Sequence, residues 1–188
     1  MKTILISGSR NHAGQTASAA KAFADGCSSA GGQVEQVFLP EMKIERCRQC
    51  EDNGWGVCRS EGRCIIEDDF AGLVQRIRAA DAAVFATPVY FGDLSESLRA
   101  FLDRLRRICR KDEGKQGLEG KPAIGICVAG GGGGGAPMCT QILDRTLTTC
   151  GFDVLDVVPA RRQNLAMKAQ VLRTLGRWLA EQPTKSAR

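Results

Sequence analysis

Thr3-Ile4-Leu5-Ile6-Ser7-Gly8-Ser9-Arg10-Asn11-His12-Ala13-Gly14-Gln15-Thr16 decides the fold. A short β-branched and apolar run passes into a loop of glycine, hydroxyl and amide residues, and a helix pattern follows at Ala20, Phe23, Ala24 and Cys27. The period changes from two to 3.6 across the glycines, as a strand–loop–helix unit requires. Outward from this unit the rhythm repeats. Further strand-length apolar runs lie at Val34–Leu39, Ala82–Thr87, Ala123–Ala129 and Phe152–Val158. Between and after them come apolar stripes at helical spacing: Phe70, Leu73, Val74 and Ile77; Leu94, Leu98, Phe101, Leu102, Leu105 and Ile108; Met138, Ile142, Leu143 and Leu147; Leu165, Leu172, Leu175 and Leu179. Five strands, each followed by a helix, predict an α/β, open, doubly wound parallel sheet with helices on both faces, because parallel neighbours need crossovers. A closed eight-stranded barrel needs about 250 residues, more than the 188 present.

Composition bounds the function. A content of 43% hydrophobic and 25% charged residues with net charge +5 excludes disordered and collagen-like chains. It predicts one domain over residues 1–182, with a cysteine-rich insertion at about 40–69 and a frayed tail at 183–188. The apolar run Ile4–Ile6 is too short for a secretory segment. No stretch of roughly 18 apolar residues offers a membrane span, so no membrane partner is expected. The nine cysteines, an odd number, therefore point to a reducing, cytoplasmic setting. Arg99, Arg104, Arg106, Arg107, Arg110 and Lys111 form a basic, solvated face on the helix after the third strand. With only 5% aromatic residues, nucleic acid is not expected as a partner.

In open α/β sheets ligands bind beyond the carboxyl ends of the strands, so four loops carry the functional reading, all expected to open on one edge. Gly8–Thr16 suits an anion: backbone N–H groups at a helix start, with Ser9, Gln15 and Thr16 as added donors. Five residues rather than four separate Gly8 from Gly14, and Gln15 stands in place of lysine, so this is not a nucleoside-triphosphate loop. A phosphate monoester suits it, with His12 within reach. Thr87–Asp93 places Pro88, Tyr90, Phe91 and Gly92 where a flat aromatic ligand would lie; the bland alternative buries both aromatic rings in the core. Gly130–Gly135 removes six side chains ahead of a helix for which Pro137 suits the first turn. This run also satisfies G-x-G-x-x-G, but low complexity and its place after the fourth strand deprive the match of weight.

The loop Gly8–Thr16, the segment TPVYFGDLSESLRAFLDR at Thr87–Arg104 and the cysteines ahead of Asp68-Asp69 together resemble the NADPH-dependent FMN reductases and iron-sulfur flavoproteins. The resemblance implies a flavodoxin-like sheet of order 2-1-3-4-5. It implies FMN, with its phosphate on Ser9, Gly14, Gln15 and Thr16 and either Arg10 or Asn11, since this chain has Arg-Asn where relatives often have Pro-Arg. It places the flavin ring against Pro88, Val89, Tyr90, Phe91 and Gly92 and against Gly130, Gly131, Gly132 and Gly133. Glycine N–H groups there would stabilise charge on a reduced ring. No side chain is then required as a nucleophile. By the same resemblance, NAD(P)H is the electron donor, a quinone, flavin or similar small molecule is the acceptor, and the assembly is a homodimer or homotetramer.

Cys47, Cys50, Cys58 and Cys64 read C-x2-C-x7-C-x5-C, whereas Cys27, Cys109, Cys127, Cys139 and Cys150 fall in helix and strand patterns as small buried hydrophobes. Four clustered thiolates suit [4Fe-4S] or zinc, and metal-free thiols are the third reading. Iron-sulfur flavoproteins carry a tighter C-x2-C-x2-C run, and this chain inserts five residues around Asp52–Gly56. An electron carrier joining FMN to such a cluster, with a ferredoxin partner, is thus the alternative function. A zinc-stapled module without flavin is the other. Asp68 and Asp69 are read as the N-cap and first turn of the next helix.

Overall fold

In the computed structural model, residues 1–183 are described. The tail expected at 183–188 lies, past Pro183, outside them. The chain order is β1 (Lys2–Ser7), α1 (Gln15–Ser29), β2 (Gln33–Phe38), α2 (Val57–Ser60), α3 (Phe70–Ala79), β3 (Ala82–Pro88), α4 (Glu96–Ile108), α5 (Asp112–Lys115), β4 (Pro122–Ala129), α6 (Ala136–Thr149), β5 (Asp153–Arg161) and α7 (Leu165–Glu181). The five strands form one sheet in the order β2-β1-β3-β4-β5, every pair parallel. In register, Ile4 faces Glu35, Leu5 faces Val84 and Phe85 faces Gly125. Strand order reverses between β1 and β3, which makes their carboxyl ends the expected ligand position.

Period-two alternation divides the core. Ile4, Ile6, Ala83 and Phe85 point to α3, α4 and α6, joining Phe70, Phe101, Leu102 and Leu143. Leu5, Val84, Ile124 and Ile126 point the other way, against Phe23 of α1 and Leu172 and Leu179 of α7. Strand ends differ slightly from the periodicity reading. Leu39 leaves β2 for a single 3-10 turn containing Pro40. At the other margin β5 runs on to Arg161 through Pro159, which an edge strand tolerates because one side of it has no ladder to lose. The helix stripe that begins at Leu94 in sequence becomes helical only at Glu96, behind the Ser95 cap, whose hydroxyl accepts from the Leu98 N–H. Pro137 does occupy the first turn of α6.

Candidate functional site

The β1–α1 loop folds around Asn11. Its side-chain oxygen accepts from the Ala13 N–H at 3.0 Å, its carbonyl from the Gly14 N–H at 3.2 Å, and its own N–H donates to the Ser9 hydroxyl at 3.3 Å. A Cβ at Gly14 would crowd the Asn11 side chain at 3.2 Å. Behind Gly14, α1 begins with no side-chain cap and no acidic residue in its first turn. Ser9 and Thr16 are buried beside it, and Gln15 Oε1 is buried without a hydrogen-bond partner. The free N–H groups of this uncapped helix start suit an anion, while the buried Gln15 amide oxygen is an acceptor that lacks a donor. Arg10 is exposed. His12 is engaged elsewhere: its ring stacks on Phe38 at 3.8 Å and its Nε2 lies 2.5 Å from Glu41.

After β3 the chain makes a two-residue hairpin. Tyr90 and Asp93 exchange both backbone hydrogen bonds, at 3.0 and 2.9 Å, while Phe91 and Gly92 both sit in the left-handed region, at φ +52° and +82°. Asparagine or glycine is the usual first residue of such a turn, so Phe91 is held in a costly conformation. Both rings leave the core: Tyr90 is half exposed and Phe91 wholly so. This answers the core alternative for the two aromatics. The hairpin is anchored by Asp93, which pairs with Arg99 and accepts from the Leu94 N–H, and by Thr87, whose hydroxyl accepts from the Ser95 N–H at 3.0 Å. Ser97 on the next turn donates to the Gly8 carbonyl at 3.1 Å, so the start of α4 ties the first and third loops together.

The glycine loop closes the group. A Cβ at Gly135 would lie 2.8 Å from the Gly92 Cα, so the two loops meet backbone to backbone. Gly130, Gly131, Gly132 and Gly134 face open space. Gly133, at φ +78°, lies beneath the Arg161 side chain, and Gln163 donates to the Gly131 carbonyl at 3.1 Å. Ser9, Arg10, Asn11, Gly14, Gln15 and Thr16, Pro88–Gly92 and Gly130–Gly133 thus gather on loops at the carboxyl ends of three adjacent strands, β1, β3 and β4. An uncapped helix start and a side-chain-free cradle fit the phosphate and the flat ring of FMN.

The cysteine loop departs from the sequence reading. It leaves β2 at the same edge but does not stay there. Cys47, Cys50, Cys58 and Cys64 line one narrow cleft, partly open to solvent, with Trp55, Arg104, Arg107 and Ile108. Arg104 is nine residues beyond Ser95, about 13 Å further along α4. Among the described residues no three His, Cys, Asp or Glu side chains converge on one point, so the four thiols line a cleft rather than form a coordination sphere. The other five cysteines are buried, as expected. Cys127 shares a hydrogen bond with Cys139, as Cys109 does with Cys150. That bond and burial push the Cys127 thiol well up.

Two readings of charged residues are corrected. Arg104 is not on the solvated face of α4: 1% of its side chain is exposed, and it grips Asp68 with two hydrogen bonds of 2.6 and 2.9 Å while lying over the Phe70 ring. It also reaches the Glu45 carbonyl and, at 3.4 Å, the Cys64 sulfur. Asp68 accordingly receives a guanidinium as well as the N–H groups of Glu45 and Phe70, and is more than a helix cap. Asp69, the N-cap residue, makes no side-chain cap bond and instead accepts from the Lys43 N–H. Arg107, one turn on, covers Trp55 and donates to the Gly54 carbonyl. Arg104 sits three residues after Phe101 and four before Ile108, on the rim of the apolar stripe, which is the one sequence signal of its burial.

A family model described as NADPH-dependent FMN reductase matches residues 1–168. The chain belongs to that family. Among relatives of this FMN reductase family member, an iron-sulfur flavoprotein of Methanosarcina thermophila is 31% identical over 111 residues, covering 59% of this chain and 54% of that one. One of Methanocaldococcus jannaschii is 29% identical over 131 residues, covering 70% and 65%. The chain thus spans less than two thirds of the length of either. The fold is shared with the NAD(P)H:quinone oxidoreductase of Methanothermobacter marburgensis, at TM-score 0.68 and 22% identity over 99% of this chain and 98% of that one.

Proposed function

We propose that this FMN reductase family member is a cytoplasmic FMN-dependent NAD(P)H oxidoreductase that reduces a small electron-poor acceptor such as a quinone or free flavin. The observation that carries the reading is the meeting of three loops, from β1, β3 and β4, around an uncapped helix start and a backbone-only cradle. Ser9, Gln15 and Thr16, with Arg10 or Asn11, would hold the phosphate of FMN. Pro88–Gly92 and Gly130–Gly133 would flank its ring. When bound, FMN supplies two-electron exchange with a reduced nicotinamide and onward delivery of those electrons. The protein binds and orients: the N–H groups of the glycine loop favour negative charge at the ring edge, and the exposed Tyr90, Phe91 and Met138 form an apolar rim for planar molecules. A single open face visited in turn by donor and acceptor calls for ping-pong kinetics. Nine unpaired thiols support the cytoplasmic setting. Met167, Val171 and Trp178, exposed along one side of α7, support a homodimer or homotetramer.

The test is FMN titration followed by flavin fluorescence. Thr16→Val and Tyr90→Ala should each weaken binding, and unchanged affinity in both would remove the site assignment. A second reading is favoured by the shared cleft of Cys47, Cys50, Cys58 and Cys64 and by the named relatives: a [4Fe-4S] centre in an electron carrier that serves a ferredoxin. Four irons and four sulfides per chain in anaerobically purified protein support it; one zinc, or no metal, sets it aside.

A further inference from the structure

Helix α6 runs back along β4, the strand that delivers it, and the match of their repeats sets one cysteine against another. A Cβ at Gly125 would strike the Leu143 side chain at 2.8 Å. Two residues further along β4 stands Cys127, and four residues back on α6, one turn nearer its start, stands Cys139. A two-residue strand step of about 6.6 Å matches a four-residue helix step of about 6 Å, so this second pair faces as the first does. Both residues are free, wholly buried thiols, joined side chain to side chain by a hydrogen bond. Between them in the chain lie all six glycines of the loop that reaches Gly92, and Gly130, Gly131, Gly132 and Gly134 have open space beside them. The FMN site uses neither sulfur. Cys139 is the reactive member, because it sits in the first turn of α6, which has no side-chain cap and no acidic residue and so favours a thiolate. The hydrogen bond from Cys127, helped by Arg99, holds it below the usual thiol range against burial and Asp93. A second buried pair, Cys109 and Cys150, lies at the far end of α6, where each residue caps the end of its helix rather than adjoining an open loop.

We propose that Cys127 and Cys139 form an oxidisable latch on the glycine loop: a small hydroperoxide joins the two sulfurs and closes residues 127–139 into a ring around Gly130–Gly135. The Cys139 thiolate attacks one peroxide oxygen, breaking the O–O bond and leaving a sulfenic acid and hydroxide. The Cys127 sulfur then attacks the Cys139 sulfur and expels a second hydroxide, which takes the Cys127 proton and leaves as water. The two thiols lose two electrons and the peroxide gains them. Burial keeps bulky reagents out, but hydrogen peroxide is close to water in size and enters as the glycine loop opens. The bond withdraws conformational freedom from the loop that it closes. The test holds the full chain, as purified, with hydrogen peroxide, followed by peptide mapping without reductant and by hydrogen exchange. The product should carry a Cys127–Cys139 link before any Cys109–Cys150 link forms, with slower exchange at Gly130–Gly135 that dithiothreitol reverses. Cys139→Ser should lose the link and the slowing, whereas Cys109→Ala should keep both; if either variant fails to fold, the parent protein alone decides. Oxidation that ends at a sulfinic acid on Cys139 without a link, links at both ends of α6 that appear together, or unchanged exchange in the linked protein each overturns the inference. Linked protein should also release FMN several-fold more slowly, and equal release from both forms would remove control of the cradle. That consequence rests on the FMN reading, whose own failure shows differently, as absence of FMN binding in the reduced, unlinked protein.

Discussion

Arg104 and Asp68 lie 36 residues apart and hold each other with 1% and none of their side chains exposed. Burial alone would push the Asp68 carboxyl up; the hydrogen bonds from Arg104 and from the N–H groups of Glu45 and Phe70 outweigh it and hold the group below the usual carboxylate range. A carboxyl depressed in the folded state gives stability that is present above its unfolded pKa of about 3.9 and lost as pH falls through the lower folded value. Asp68→Asn should therefore cost about 3 kcal/mol at pH 7, since it leaves the Arg104 charge buried and uncompensated. Denaturant titrations of both proteins should show that gap narrowing below about pH 4, and a gap constant down to pH 2 would contradict it. Thiol chemistry offers a second residue-scale reading. Burial pushes Cys27 up to about 11, and its sulfur contacts the Gly176 carbonyl at 3.2 Å. Cys109, Cys127, Cys139 and Cys150 are buried as well, whereas Cys50 is exposed and Cys47, Cys58 and Cys64 are half buried. Mass spectrometry after brief alkylation at pH 8 of metal-free native protein should find label on those last four alone, with all nine modified only after unfolding.

Helices α1 and α7 approach so closely that glycine decides the contact. A Cβ at Gly26 would strike the Arg173 carbonyl, and one at Gly176 the Phe23 carbonyl. Backbone cannot rotate aside as a side chain does, so Gly26→Ala and Gly176→Ala should each destabilise by about 2–3 kcal/mol through overpacking. Gly72 in α3 faces open space, and there alanine should stabilise by about 0.5–1 kcal/mol through helix propensity. Chemical denaturation of the three variants checks both signs, and a stabilised Gly176→Ala would contradict the packing. The contrast also marks what sequence can tell at this scale. Periodicity exposes each helix and its apolar stripe because that information repeats within a few residues. Gly26 and Gly72 look alike in sequence, and only the partner helix, about 150 residues away for Gly26, separates them.

The whole molecule combines three local signals that sequence carries with two that it does not. Glycine, hydroxyl and aromatic residues after β1, β3 and β4 mark the loops of the candidate site, because strand ends in a parallel sheet share one edge whatever the side chains between them. The path of residues 40–69 has no period to read, so its departure down α4 to the buried Arg104 is settled by contacts distant in sequence, as is the seating of Arg161 on Gly133. These two placements give the molecule separate ends. FMN bound across the β1, β3 and β4 loops at 100 times its Kd should add about 2.7 kcal/mol to unfolding, raising Tm by about 5–10 °C. Riboflavin, which lacks the phosphate that α1 would receive, should bind more weakly and give a smaller rise at equal concentration. Hydrogen exchange locates the same energy: amides of Gly8–Thr16, Val89–Asp93 and Gly130–Gly135 should slow on loading, whereas those between Cys47 and Ile65 exchange by local opening and should not. Equal protection of both ends would mean that the cysteine loop opens only together with the sheet, and would tie the cleft at the far end of α4 to the ligand edge it otherwise leaves.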